Sequence, residues 1–215
     1  MNKLYLDTCA GSLGIAIVTK DKTCKSEINA GKKTAEELFP LLQSLCSDAL
    51  ISLKDIEEVF VTKGPGSYTG ERLGLTVAKV MVTLNPSLKV YTGSTLKALA
   101  ANEKENCVSL IDARNNAFFA GFYLNGQEVK EERVDISEVD QFVKENNAKI
   151  IISIEDKNAV ITLKDRTYIK ASILEGMLML DSDQYTYEDE PLKAAPVYML
   201  SLIHISEPTR LLSIS

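Results

Sequence analysis

Tryptophan is absent from this 215-residue chain, and histidine occurs once, at His204. Without histidine in the body of the sequence, no Ser-His-Asp or Cys-His catalytic set can form. A His-Glu-x-x-His zinc site is excluded on the same ground. The four cysteines, Cys9, Cys24, Cys46 and Cys107, are scattered. They make no Cys-x-x-Cys pair, which argues against a zinc ribbon or a dithiol redox centre. No apolar run approaches the ~20 residues that a membrane-spanning helix needs. The opening Met-Asn-Lys-Leu-Tyr-Leu-Asp-Thr turns polar too soon for a secretory signal. The expectation is a cytoplasmic, reduced location and no membrane partner. Basic charge is also short: 24 Lys and Arg against 30 Asp and Glu, a net charge of -6. A lone nucleic-acid binder needs a surplus of cations.

What is present suits a folded protein. Apolar residues make up 45% and charged residues 25% of the chain, which argues against disorder. The length allows one large domain or two small ones. Residues 201–215 fit nothing before them. With Leu200 they resemble a translated sequencing-library adapter, and they are treated as a non-native tail. The natural part then contains no histidine.

Residues 3–9, the alternating Leu13, Ile15 and Ile17, and residues 23–30 read as an antiparallel three-stranded meander. Thr34, with Glu37 three residues on, has the capping-box pattern for a helix over 34–50, with Pro40 bending or shifting its start. The apolar residues of this helix cover more than the ~100° stripe that a surface helix needs, so part of them requires another cover. A strand over 57–62 leads through a glycine-rich turn into a helix over 70–84. On that helix Leu73, Val77, Val80, Met81 and Leu84 form one stripe, while Leu75 and Val82 lie elsewhere. A strand at 90–91 and a helix at 94–102 complete the first half. The second half repeats the order: strands over 107–112, 117–123 and 128–134, a helix over 137–146 capped by Ser137, and a strand over 149–154. Shorter strands at 160–163 and 168–170 and a helix over 172–180 follow. Leu-Asp-Thr-Cys-Ala-Gly-Ser-Leu-Gly-Ile and Ile-Asp-Ala-Arg-Asn-Asn-Ala-Phe-Phe-Ala align at the Asp, the turn and the apolar alternation, which points to a duplicated domain.

The run from Gly64 to Gly70 is the sharpest motif. A strand, a glycine turn and a helix N-terminus can cradle an anion, and Arg72 could add a charged fork. It matches neither GxxxxGK[ST] nor GxGxxG, and a tight turn needing positive φ is the plainer reading. Asp7 and Asp112 each end a strand before a turn. Such carboxylates hold magnesium or cap the turn locally.

Three blocks identify a resemblance: residues 4–17, 61–79 and 108–123. In order and spacing they resemble the TsaB (YeaZ) proteins, most specifically through Gly-Pro-Gly-Ser-Tyr-Thr-Gly-x-Arg-x-Gly at 64–74. Ala195-Pro196-Val197-Tyr198 also resembles the family's end. Many relatives carry His-Ser where this chain has Lys33-Thr34. The resemblance implies an α/β protein of the actin/Hsp70-like ATPase superfold. Its two RNase-H-like lobes would span 1–103 and, reduced, 104–200. It implies a non-catalytic subunit that binds and activates the TsaD paralogue for threonylcarbamoyl transfer to the adenosine beside the tRNA anticodon. The resemblance further implies a TsaE-type ATPase as partner, a homodimer as an option for the chain alone, and contact with tRNA only through the complex. ATP and metal are expected on the partner subunits rather than on this chain. The expected interface comprises Leu38, Leu42, Leu45, Cys46, Arg72, Leu73, Val77, Val80 and Met81. An active ATP-using enzyme of the same superfold is the alternative, with Asp7, Gly64, Gly66, Thr69 and Asp112 around a nucleotide. A zinc protease is disfavoured by the missing histidine.

Overall fold

A computed structural model describes residues 1–199. The tail and His204 lie outside the described residues. The chain begins with an antiparallel meander, β1 (Lys3–Asp7), β2 (Leu13–Val18) and β3 (Thr23–Ile28), followed by α1 (Thr34–Ala49). Then come β4 (Glu58–Thr62), α2 (Tyr68–Leu84), β5 (Lys89–Gly93) and α3 (Thr95–Ala100). β4 runs parallel to both β1 and β5. β1 and β4 are buried on both faces, so they read as continuous apolar runs rather than alternating ones.

The second half repeats the plan with β6 (Cys107–Asp112), β7 (Ala117–Leu124), β8 (Gln127–Asp135), α4 (Ile136–Asn146), β9 (Lys149–Ser153), α5 (Lys157–Thr162), β10 (Tyr168–Ala171) and α6 (Ile173–Met179). β11 (Thr186–Tyr187) follows. The sheets run β11-β5-β4-β1-β2-β3 and β10-β9-β6-β7-β8. Apart from β11 the two orders are the same, as the duplication requires. The expected α/β fold, with two related lobes, is present.

The lobes exchange elements. α1 and α2 cover one face of the first sheet, and α4 and α5 cover the outer face of the second. Between the sheets lie α3 and α6, crossed: α3 packs on β6, β7 and β9, and α6 on β1 and β2. Their backbones meet at Gly176, where a Cβ would stand 1.7 Å from the Ala98 carbonyl oxygen. β11 pairs with β5 of the first sheet. The expected boundary at 103/104 is therefore a sequence boundary only, since residues after β10 build the first lobe and α3 builds the second.

Several local expectations give way. Thr34 does not cap α1; its hydroxyl donates to the Gly31 carbonyl in a preceding 3-10 turn, and no side chain caps that helix. α1 runs through Pro40, whose exposed position lets solvent satisfy the carbonyl it frees. α4 begins at Ile136 after Asp135, not at a Ser137 cap. The β-branched stretch 160–162 is helical, because Asp156 accepts from the Ala159 N–H at 2.9 Å and starts α5 ahead of it.

Candidate functional site

The glycine motif joins β4 to α2. Gly64 has φ +104°, a conformation that suits glycine, and Ser67 caps α2 by accepting from the Gly70 N–H. The other glycines serve close approach. A Cβ at Gly66 would lie 2.4 Å from the Cys9 carbonyl oxygen, one at Gly70 only 1.9 Å from that of Thr8, and one at Gly74 2.9 Å from Val61. Ser67 N–H donates to the Cys9 carbonyl at 2.7 Å, and Thr8 Oγ1 donates to the Gly70 carbonyl at 2.6 Å. The turn is thus docked on the end of β1, with the chain's own backbone packed against Gly66 and Gly70. Gly64 and Gly66 each have a local structural reason to be glycine. Thr69 is exposed on the first turn of α2.

Asp7 is fully buried. Its Oδ1 accepts from Thr62 Oγ1 at 2.6 Å and from the Cys9 N–H at 3.1 Å, while Oδ2 has no partner. Burial raises its pKa to about 6, against the pull of those two donors, and Glu27 adds to the rise. Leu174 of α6 packs on the neighbouring Gly14: a Cβ there would meet Leu174 Cβ at 3.1 Å and Asp7 Cβ at 3.7 Å. Glu71, behind the turn, is also buried, and burial raises its pKa to about 7 while the Gly66 N–H and Arg72 oppose the rise. Asp112 lies at the corresponding end of β6 but is engaged locally. It accepts from the Arg114 N–H at 3.2 Å and from Asn158 Nδ2 at 3.2 Å. Its turn is built from Arg114, Asn115 and Asn116, all at positive φ. Within the chain Asp7 is enclosed, Gly64 and Gly66 form a turn docked on β1, and Asp112 is engaged in its own turn.

The α1–α2 layer divides its apolar residues between two faces. Leu38, Leu42, Leu45, Cys46 and Val77, expected at a partner interface, are buried in the core of the chain itself. They lie toward the sheet because that face is the larger apolar surface available for burial. Leu75, Ala78 and Val82 hold α2 to the same core. Leu73 and Met81 are half-buried, and Val80 faces outward. Arg72 is exposed but not idle. Its guanidinium stacks 3.9 Å from the Tyr68 ring centroid, and its Nε donates to Tyr198 Oη at 2.9 Å. The 195–198 segment is thereby strapped across the start of α2, with Val197 N–H on the Lys63 carbonyl.

Outside this core a groove of about 260 Å³ opens between α1 and α2, walled almost wholly by carbon: Phe39, Leu53, Val77, Val80, Met81 and Leu84. Phe39 is 50% exposed, Val80 49% and Leu84 81%. Phe39, Leu53 and Leu84 were absent from the expected interface. For Phe39 the signal was the apolar surplus on the first helix and for Leu84 its place on the α2 stripe; Leu53, in the turn after α1, carried none.

The TsaD family model, described as tRNA N6-adenosine threonylcarbamoyltransferase, matches residues 27–162. The Bacillus subtilis tRNA threonylcarbamoyladenosine biosynthesis protein TsaB is 31% identical over 160 residues, 70% of this chain and 69% of its own length. The Buchnera aphidicola TsaB is 24% identical over 69% of this chain and 76% of its own. Two solved structures share the fold at 20% identity. One is a Pseudomonas aeruginosa protein with similarity to peptidase YeaZ, with a TM-score of 0.74 over 93% of this chain and 99% of that one. The other is YeaZ from Pseudomonas aeruginosa, with a TM-score of 0.69 over 92% and 99%. With the glycine turn, the duplicated lobes and these likenesses together, the chain belongs to the TsaB (YeaZ) family.

Proposed function

We propose that this chain is a non-catalytic subunit in tRNA threonylcarbamoyladenosine biosynthesis. It binds a TsaD-type paralogue through the α1–α2 ridge and activates threonylcarbamoyl transfer to the adenosine beside the tRNA anticodon. The observation that carries the reading is the apolar groove with its exposed Phe39, Val80 and Leu84, a surface that costs free energy in water until covered. Family membership supplies the occupant. The TsaD family model spans both helices of the ridge, so a paralogue of this fold offers a matching pair. The sealed Asp7 supports a role without chemistry of its own. In this reading ATP and metal sit on TsaD and on a TsaE-type ATPase, and the net charge of -6 leaves tRNA contact to the complex. The same ridge forms a homodimer when the paralogue is absent. No helix among the described residues is long and apolar enough to cross a membrane, and a cytoplasmic location is part of the proposal.

The test is co-purification of residues 1–200 with the cognate TsaD, followed by tRNA threonylcarbamoylation with and without the chain. Val80→Asp and Leu84→Asp place a carboxylate in the covered ridge. Each should weaken the complex by at least about 2 kcal/mol, roughly thirty-fold in Kd, at unchanged thermal stability. A wild-type chain that neither binds TsaD nor raises its turnover sinks the reading.

A further inference from the structure

β3 is the outer strand of the first sheet, and its residues alternate in partner as well as in face. Cys24 and Ile28 pack into the α1 layer. Lys25, Glu27 and Asn29, two residues apart, reach instead to the second half of the chain. Lys25 Nζ lies 2.6 Å from Glu175 Oε1. Ser172 Oγ donates to Glu27 Oε2 at 2.5 Å. Asn29 Nδ2 donates to Glu155 Oε2 at 2.5 Å. Two of the three partners belong to α6, with Ser172 capping it and Glu175 in its first turn, while Glu155 follows β9. Glu27 Oε1 also accepts from Ser12 Oγ in the β1–β2 turn at 3.1 Å, so one carboxylate is shared between the two halves.

Between Ser172 and Glu175 sits the buried Leu174, which packs against Gly14, the β2 pair partner of Asp7. Ser172 links strand and helix in a single hydroxyl, since its Oγ also accepts from the Glu175 N–H at 3.0 Å. We propose that this face of β3 is a clasp between the two halves of the sequence: it locks α6 over the end of β1 and keeps Asp7 sealed. Glu27 is its centre. It is partly buried and accepts two hydroxyls, whereas Lys25 and Glu175 are both more than 40% exposed and an exposed pair contributes little. The inference is independent of the partner reading, since it concerns only contacts within the chain.

Amide hydrogen exchange of residues 1–200 tests it, comparing wild type with Glu27→Ala, Glu27→Gln and Lys25→Ala. In Glu27→Ala the amides of α6 and of Cys9, whose N–H is held by Asp7, should exchange about ten-fold faster or more, while β1 and β4 keep wild-type rates. Lys25→Ala should shift the same amides by less. Glu27→Gln keeps the volume and one acceptor oxygen, so it reports the same pattern at smaller amplitude should Glu27→Ala fail to fold. Unchanged α6 exchange in the Glu27 variants would overturn the clasp. So would an equal acceleration of α6, β1 and β4, which would make Glu27 a contributor to global stability alone.

Discussion

Asp7→Asn should erase a pH dependence that the wild type carries. The Asp7 carboxyl is fully buried, and its pKa rises from 3.8 to about 6 in the folded chain. The folded state therefore holds its proton more tightly than the unfolded state does. A raised pKa contributes stability that is fully present below about pH 4 and is lost as the pH climbs to 6 and beyond. At about 1.4 kcal/mol per pH unit, the loss amounts to about 3 kcal/mol. Asparagine cannot ionise. Its side-chain oxygen can keep the acceptor role toward Thr62 and Cys9 that Oδ1 plays at 2.6 and 3.1 Å, and its amide would fill the place of the unpaired Oδ2. The assay is urea denaturation of both proteins from pH 4 to 8 at fixed ionic strength. Subtracting one from the other cancels the carboxylates elsewhere whose pKa values are lowered, such as Asp140 beside Arg166. Asp7→Asn should gain about 3 kcal/mol relative to wild type across that range. A flat difference, or one that favours wild type as the pH rises, would refute the sealed carboxylate.

Two further substitutions probe the same neighbourhood. Gly70→Ala places a methyl group 1.9 Å from the Thr8 carbonyl oxygen, which the backbone must move to relieve; a loss of about 3 kcal/mol or more is expected in denaturant titration. Gly11→Leu, where nothing lies within 4 Å but φ is +85°, should cost only the milder backbone strain, about 1–2 kcal/mol. Arg72→Ala removes the stack on Tyr68 and the bond to Tyr198 at an exposed site. It should cost about 1 kcal/mol or less while raising proteolysis or amide exchange around Val197, and unchanged protection there would count against the strap.

Legibility differed by scale. The meander, the glycine turn and the repeat could be read because each is encoded within a short span. β1 and β4 show unbroken apolar runs, Asn125-Gly126 shows its hairpin by positive φ at both residues, and the two halves share one order. The capping of α1 and α4 was misread because several nearby polar residues could serve, and the turn entering each helix chose among them. The 157–162 helix was misread because a cap at Asp156 outweighed the strand preference of the β-branched residues after it.

The interface shows the same division in a single layer. The sequence determined that α1 and α2 carry more apolar residues than one buried face can use, and that the chain has no histidine before its tail to build a catalytic set. Only the tertiary structure decided that Leu38, Leu42 and Leu45 go inward while Phe39, Val80 and Leu84 stay out. Likewise only it joined β11 to the first sheet and set Lys25, Glu27 and Asn29 across from α6. The physical reason is common to all of these. Periodicity states which residues share a face, but which face is buried depends on the surfaces that distant segments bring to it, and those contacts span up to 150 positions in the chain.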